Sequence, residues 1–335
     1  MPPFGVIEAG PDNQSAWVIA LPTTKPHFGA AALIALILLT IPATARAAPA
    51  STQGDFAGPV DVDGRKLYVE CKGTGSPTVI LIAGYRNNAE IWTTPPGPGL
   101  TPVFDAVSGF TRVCTYDRPG TILDATHLSR SEPVPMPRTA EAVAYELHDL
   151  LDAANIQGPY VLVAHSLGGI FARLYASTYR NDVAGLVLVD AWPEAMPKLL
   201  GPEQWAAYLK LSDPAPPGLE SYRDLERIDF GAASERMEQE AAQSPLYGLL
   251  LFVLSRAKPV ALPPNVPAEF SQDAFEAAWR KGQDELAALL PDTRHVIAIE
   301  SNHYIQLEQP ALVTDAVRQV VEAVRDPASW GEHAQ

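Results

Sequence analysis

The sequence predicts an α/β fold built on a mostly parallel sheet, and three observations carry that reading. Short, continuously apolar runs recur at 77–83, 111–116, 160–165, 184–189, 259–262 and 295–299, as expected of strands buried on both faces. Amphipathic helical patterns separate them, the alternation that defines the α/β class. Finally, the run Tyr160–His165 ends abruptly at Ser166, and Leu167-Gly168-Gly169 leads into a helix-like stretch, 170–179. A strand–turn–helix of this kind holds a serine on an exposed elbow as a nucleophile.

Residues 1–28 are loop-like, with Lys25 their only Lys or Arg. The run 29–41 is small or apolar, shorter than the about 20 residues that span a bilayer. Pro42 and Ala45-Arg46-Ala47 follow, matching the helix break and small-x-small cleavage site of a secretory signal. Residues 1–47 are therefore expected to be a signal peptide, with a mature start near Ala48 and a secreted or cell-envelope location. An uncleaved signal anchor is the alternative, and it would tether the protein to a membrane. A linker of Pro, Ala, Ser and Gly follows at 48–59.

From there the elements run in order. Asp63-Gly64 sits between two extended runs in 60–72, a hairpin signal. A strand over 77–83 and another over 111–116 lead to a helix over 139–154, which places Val143, Leu147, Leu150, Leu151 and Ala154 on one face. After the serine elbow comes the strand 184–189. The segment 191–258 breaks the alternation. Its helix-like pieces 203–211, 234–243 and 246–255 are separated by Pro and Gly, and no strand is evident. Inserted between core strands, it reads as a helical cap over the carboxyl edge of the sheet, where open α/β folds bind ligands. A strand over 259–262, a helix over 270–290, a strand over 295–299 and a helix over 311–325 after Pro310 complete the pattern, with a tail at 327–335.

The 335 residues are 47% hydrophobic and suffice for one large domain with its own core. The net charge is −15, from 24 Lys+Arg against 39 Asp+Glu. Such a surface argues against nucleic acid and anionic lipid as partners, and no stable membrane insertion of the mature chain is expected. No Cys/His cluster has zinc spacing, and no phosphate loop or dinucleotide fingerprint occurs, so no metal or cofactor is expected. The two cysteines, Cys71 and Cys114, lie in strand-like runs and are either paired or buried as thiols.

These motifs together resemble the α/β-hydrolase superfamily, in particular its serine esterase-like members, over about residues 60–325. The resemblance is carried by Tyr116-Asp117-Arg118-Pro119-Gly120, by the elbow Val161 to Gly169, by Leu186-Val187-Leu188-Val189-Asp190-Ala191, and by Asn302-His303-Tyr304. Three departures stand out: Ala164 where the elbow usually has glycine, Ala83-Gly84 where relatives often have His-Gly, and Gly120-Thr121-Ile122-Leu123-Asp124 in place of a further glycine and serine. The resemblance implies an α/β-hydrolase fold: an eight-stranded, mostly parallel sheet flanked by helices, with a core of 60–190 and 259–326 and a cap of 191–258 inserted after strand 6. It also implies that the second and fourth strands are neighbours, bringing Cys71 and Cys114 within disulfide range if the register matches.

In this fold the chain order is nucleophile, acid, histidine. That order removes His27, His127, His148 and His165; His333 lies in the polar tail, and His295 begins an apolar strand. His303 remains as the base for Ser166. Asp190, directly ending the sixth strand, is the expected acid, with Glu269 or Asp273 after the seventh strand as alternatives. The backbone N–H groups of Leu167 and Tyr85 are the expected oxyanion-hole donors. Asp117 and Arg118 are expected to be structural, as an ion pair or turn anchor beside the site. The expected activity is hydrolysis of a small-molecule carboxylic ester through an acyl-enzyme. Cleavage of an amide, thioester or lactone, or acyl transfer, is the enzymatic alternative. A non-catalytic ligand-binding protein on the same fold is the alternative from another class.

Overall fold

Asp63 and Gly64 turn the chain at φ 52° and 83°, the left-handed pair that matches the twist of a two-residue hairpin. They join β1 (Phe56–Val62) to β2 (Arg65–Lys72). In the computed structural model, which describes residues 54–244, 246–263 and 266–332, six further strands extend this hairpin into one sheet. They are β3 (Thr78–Ile82), β4 (Val113–Tyr116), β5 (Tyr160–His165), β6 (Val183–Val189), β7 (Leu250–Arg256) and β8 (Arg294–Ala298). The order is β1-β2-β4-β3-β5-β6-β7-β8. β1 and β2 run antiparallel at one edge, and β3 to β8 pair in parallel through the centre.

Alternate side chains of the central strands enter two cores. Ile80, Ile82, Leu162 and Ala164 pack on one face with α3 (Ala140–Ala153) and α4 (Gly168–Thr178). Val79, Leu81, Val161 and Val163 pack on the other with α2 (Val103–Ser108) and α9 (Pro310–Arg325). Burial on both faces explains why these strands read as unbroken apolar runs. The short helices α1 (Glu90–Thr93), α8 (Ile305–Glu308) and α10 (Ala328–Glu332) sit in the connections. Side-chain caps start the longer ones: Thr139 accepts from Ala142 N–H at 3.2 Å, and Ser271 accepts from Ala274 N–H at 3.2 Å at the start of α7 (Gln272–Ala287).

Two expectations need correction. The stretch 246–255, expected to be helix-like within a strandless 191–258, contains β7 at Leu250–Arg256, while 259–262 holds no strand. A leucine-rich run of this length has no periodicity that separates a buried strand from a buried helix. Pairing beside β6 decides in favour of the strand. The prolines at 259, 263 and 267 lack the N–H that a ladder needs. The segment between β6 and β7 thus ends at 249 rather than 258. It carries α5 (Met196–Ser212), bent at Gly201-Pro202, and α6 (Phe230–Gln243), capped by Asp229.

Cys71 and Cys114 face each other in the β2–β4 register with Cα atoms 4.1 Å apart and form a disulfide. Closing a loop over a separation of 43 residues stabilises the fold by about 3–4 kcal/mol on chain-entropy grounds. The expected signal segment, 1–47, and residues 48–53 of the expected linker lie outside the described residues, while 56–59, expected to be linker, belong to β1. Among the described residues no helix is long and apolar enough to cross a membrane.

Candidate active site

Ser166 follows β5 without an intervening residue and sits at φ 53°. A non-glycine residue held there stores about 1–3 kcal/mol of strain, so its neighbours must enforce the turn. They do so through the backbone. The Ser166 N–H donates to the Val189 carbonyl at 3.2 Å, and its carbonyl accepts from Gly169 at 2.9 Å and Trp192 at 2.8 Å. A Cβ on Gly84 would lie 2.9 Å from Ser166 Cβ and 2.9 Å from His165 Nδ1. Only glycine lets the loop after β3 approach the elbow this closely.

Asp190, the residue after β6, is fully buried and sits at φ 41°. Its Oδ2 lies 2.6 Å from His303 Nδ1 and accepts from Arg256 Nη1 at 3.0 Å. Its Oδ1 accepts from Trp279 Nε1 at 2.9 Å and from the Arg256 N–H at 3.2 Å. Burial works to raise the carboxyl pKa. The hydrogen bond from His303, the Arg256 charge and the Trp279 donor outweigh it and hold Asp190 below the usual carboxylate range. An ionised carboxylate only accepts, so Nδ1 of His303 carries the proton and Nε2 is left as the acceptor.

The two alternative acids are elsewhere. Glu269 is exposed and pairs with Lys210 at 3.3 Å, and Asp273 is exposed in the first turn of α7. Sequence reasoning did not find Arg256 or Trp279 as partners of Asp190. Arg256 closes β7, and placing that strand at 250–256 would have put it at the carboxyl edge of the sheet beside Asp190.

Ser166 and His303 line one cavity of about 170 Å³. The rest of its wall is apolar, with Trp192, Tyr208, Phe275 and Trp279 prominent. Leu167 is the residue before α4 and Tyr85 lies in a turn closed by Asn87 N–H to the Gly84 carbonyl at 3.1 Å. Among the described residues no hydrogen bond occupies the backbone N–H of either. Asp117 and Arg118, both fully buried, anchor separate partners rather than each other. Asp117 takes a two-pronged bond from Arg130 at 2.7 and 2.9 Å, and Arg118 pairs with Glu226 at 2.7 Å. Among the described residues no group of His, Cys, Asp and Glu is placed to hold a metal ion.

His165, directly before Ser166, is buried with Nε2 at 2.9 Å from the His303 carbonyl. Its ring stands 4.6 Å from the His303 ring. Desolvation, with the nearby His303 as a lesser cause, pulls its pKa down to about 3, so it stays neutral and donates from Nε2. The unfolded chain protonates this group near its ordinary value of about 6.5. Between those values the unfolded state binds the extra proton, so stability falls as pH falls, by up to about 1.4 kcal/mol per unit from this group. Urea unfolding of wild type and His165→Asn between pH 6.5 and 4.5 checks this. The wild-type midpoint is expected to drop more steeply, and parallel profiles would refute it.

The sequence profile of the alpha/beta hydrolase family matches residues 79–316. The uncharacterized protein YqjL of Bacillus subtilis is 32% identical over 130 residues, 38% of this chain and 46% of that protein. The chain therefore spans less than half the length of this relative. An AB hydrolase superfamily protein of Gibberella zeae is 24% identical over 261 residues, 64% of this chain and 79% of that protein. Among solved structures, a thermophilic esterase from Thermogutta terrifontis superposes with a TM-score of 0.52 at 20% identity, covering 80% of this chain and 99% of that one.

Proposed function

The chain belongs to the alpha/beta hydrolase family, and from that premise we propose that it is a serine hydrolase cleaving a small-molecule carboxylic ester through an acyl-enzyme. The observation that carries this reading is the 2.6 Å bond from His303 Nδ1 to buried Asp190, with His303 and Ser166 lining one cavity. In this mechanism Ser166 Oγ attacks the ester carbonyl carbon while His303 Nε2 takes the hydroxyl proton. The carbonyl π pair moves onto oxygen, where the N–H groups of Tyr85 and Leu167 receive it. Collapse breaks the carbon–oxygen bond to the alcohol, which leaves with the proton from His303. A water then attacks the acyl group, giving its proton to His303; collapse releases the carboxylic acid and returns that proton to Ser166. Asp190 orients the imidazole throughout and stabilises its charged form. The reading includes export, which is supported by the pattern of residues 29–47 and by the Cys71–Cys114 disulfide.

The cavity also supports a substrate size. At about 170 Å³ it compares with engineered apolar cavities of about 150 Å³ that hold one benzene, and its aromatic wall offers no charged partner. The acyl group assigned to it is short or carries a single ring. The test is a p-nitrophenyl ester series from acetate to palmitate. A p-nitrophenol burst equal to the enzyme concentration is expected, with the highest kcat/KM at short or phenyl-bearing acyl groups. No turnover on any member would leave the ligand-binding alternative as the better reading.

A further inference from the structure

We propose that the buried Arg118–Glu226 pair aims the Tyr85 backbone N–H at the developing oxyanion, making both side chains positioning residues for the hydrolysis. The proposal rests on the reading of Ser166 given above. Within one planar trans peptide the carbonyl and the following N–H point in opposite directions. The Gly84 carbonyl and the Tyr85 N–H are the two ends of one such unit. Arg118 Nη2 donates to the Gly84 carbonyl at 2.6 Å, and Nη1 donates to the Ala83 carbonyl at 2.8 Å. A guanidinium that fixes that carbonyl fixes the direction of the N–H as well.

The next peptide is held from its other end, because the Arg86 N–H donates to Glu226 Oε2 at 2.6 Å. The same carboxylate accepts from Arg118 Nε at 2.7 Å and Nη2 at 3.1 Å. The Tyr85 ring stands edge-on to Phe230 at 4.9 Å. Both flanking peptides and the side chain of Tyr85 are thus fastened, while its N–H has no acceptor among the described residues.

Glu226 arrives on the loop before α6, and Gly120 admits it. At Gly120 φ is 78°, and a Cβ would lie 2.2 Å from the Asp224 carbonyl and 2.7 Å from the Glu226 nitrogen. Instead, the Glu226 N–H donates to the Gly120 carbonyl at 2.8 Å. Stability alone gives this pair little reason to exist. Both side chains are 0% exposed, and apolar replacements of buried pairs are often neutral or stabilising. What an apolar pair lacks is a fork that grips two consecutive carbonyls and a carboxylate that grips the following N–H.

The test uses the full chain with three variants: Arg118→Lys, Glu226→Gln, and the double Arg118→Met/Glu226→Gln. Arg118→Lys keeps the charge opposite Glu226 but loses the fork. The double variant removes both charges of the pair together, and a thermal melt reports folding for each. On p-nitrophenyl butyrate, kcat is expected to fall by on the order of 10² in all three with KM little changed. The double should be no worse than the worse single, because both side chains act on one peptide. Inhibition by an alkyl trifluoromethyl ketone, whose serine adduct carries an oxyanion, should weaken by the same factor. Inhibition by the matching non-electrophilic ether should not change. Folded variants with wild-type kcat would overturn the proposal, as would ketone and ether affinities falling together. A wild type that turns over none of the esters would instead remove the serine-hydrolase reading itself, so the two failures are separable.

Discussion

Ser166→Ala is expected to lower ester turnover by about 10⁶-fold, the scale seen when a nucleophile is lost from a triad that works as a unit. The residual rate comes from whatever binding and oxyanion stabilisation survive. The variant should fold normally, because the bonds that enforce the elbow run through the Ser166 backbone N–H and carbonyl rather than its hydroxyl. Two measurements check it: steady-state release of p-nitrophenol, and labelling with a fluorophosphonate, which wild type should take up once per chain and the variant not at all. Equal rates for the two proteins would transfer the function from catalysis to binding.

Asp190→Asn is expected to lower kcat about 10⁴-fold. The amide offers His303 a donor as readily as an acceptor, so the imbalance that keeps the proton on Nδ1 disappears, and so does the charge that stabilises the imidazolium. Arg256 would lose one carboxylate yet keep Glu276 at 2.9 Å, so the buried guanidinium remains paired. Glu269→Gln and Asp273→Asn are expected to stay near wild type, since both side chains lie exposed and Glu269 is paired with Lys210. A loss of activity confined to Glu269→Gln would show that the acid had been misassigned.

Most of the fold was legible because the central parallel strands β3, β4, β5 and β6 are largely buried on both faces and bounded by turn chemistry. The elbow, the hairpin at Asp63-Gly64 and the carboxyl-edge position of His303 all follow from patterns local to a few residues. The strand at 250–256 was not legible. Leu249-Leu250-Leu251-Phe252-Val253-Leu254 satisfies a buried helix as well as a buried strand, and only the partner β6 distinguishes them. The partners of Asp190 were hidden by the same error, since Arg256 closes that strand. Glu226 was hidden for a different reason. A single carboxylate in an irregular loop carries no local signature, and its role appears only when Gly120 brings that loop against Arg118.

The bond between Cys71 and Cys114 has a dynamic consequence. An antiparallel hairpin at a sheet edge is ordinarily the first unit to detach, opening and closing on its own while the remainder stays native. Here the inner half of that hairpin is tied covalently to β4, and β4 runs straight into Asp117 and Arg118. Local fraying is therefore expected to be confined to β1. The backbone amides of β2 should exchange with solvent deuterium at rates close to those of β4, and faster than β4 once a reductant has opened the bond. A redox event at the edge of the sheet thus bears on a strand that leads into Arg118, whose guanidinium holds the Ala83 and Gly84 carbonyls.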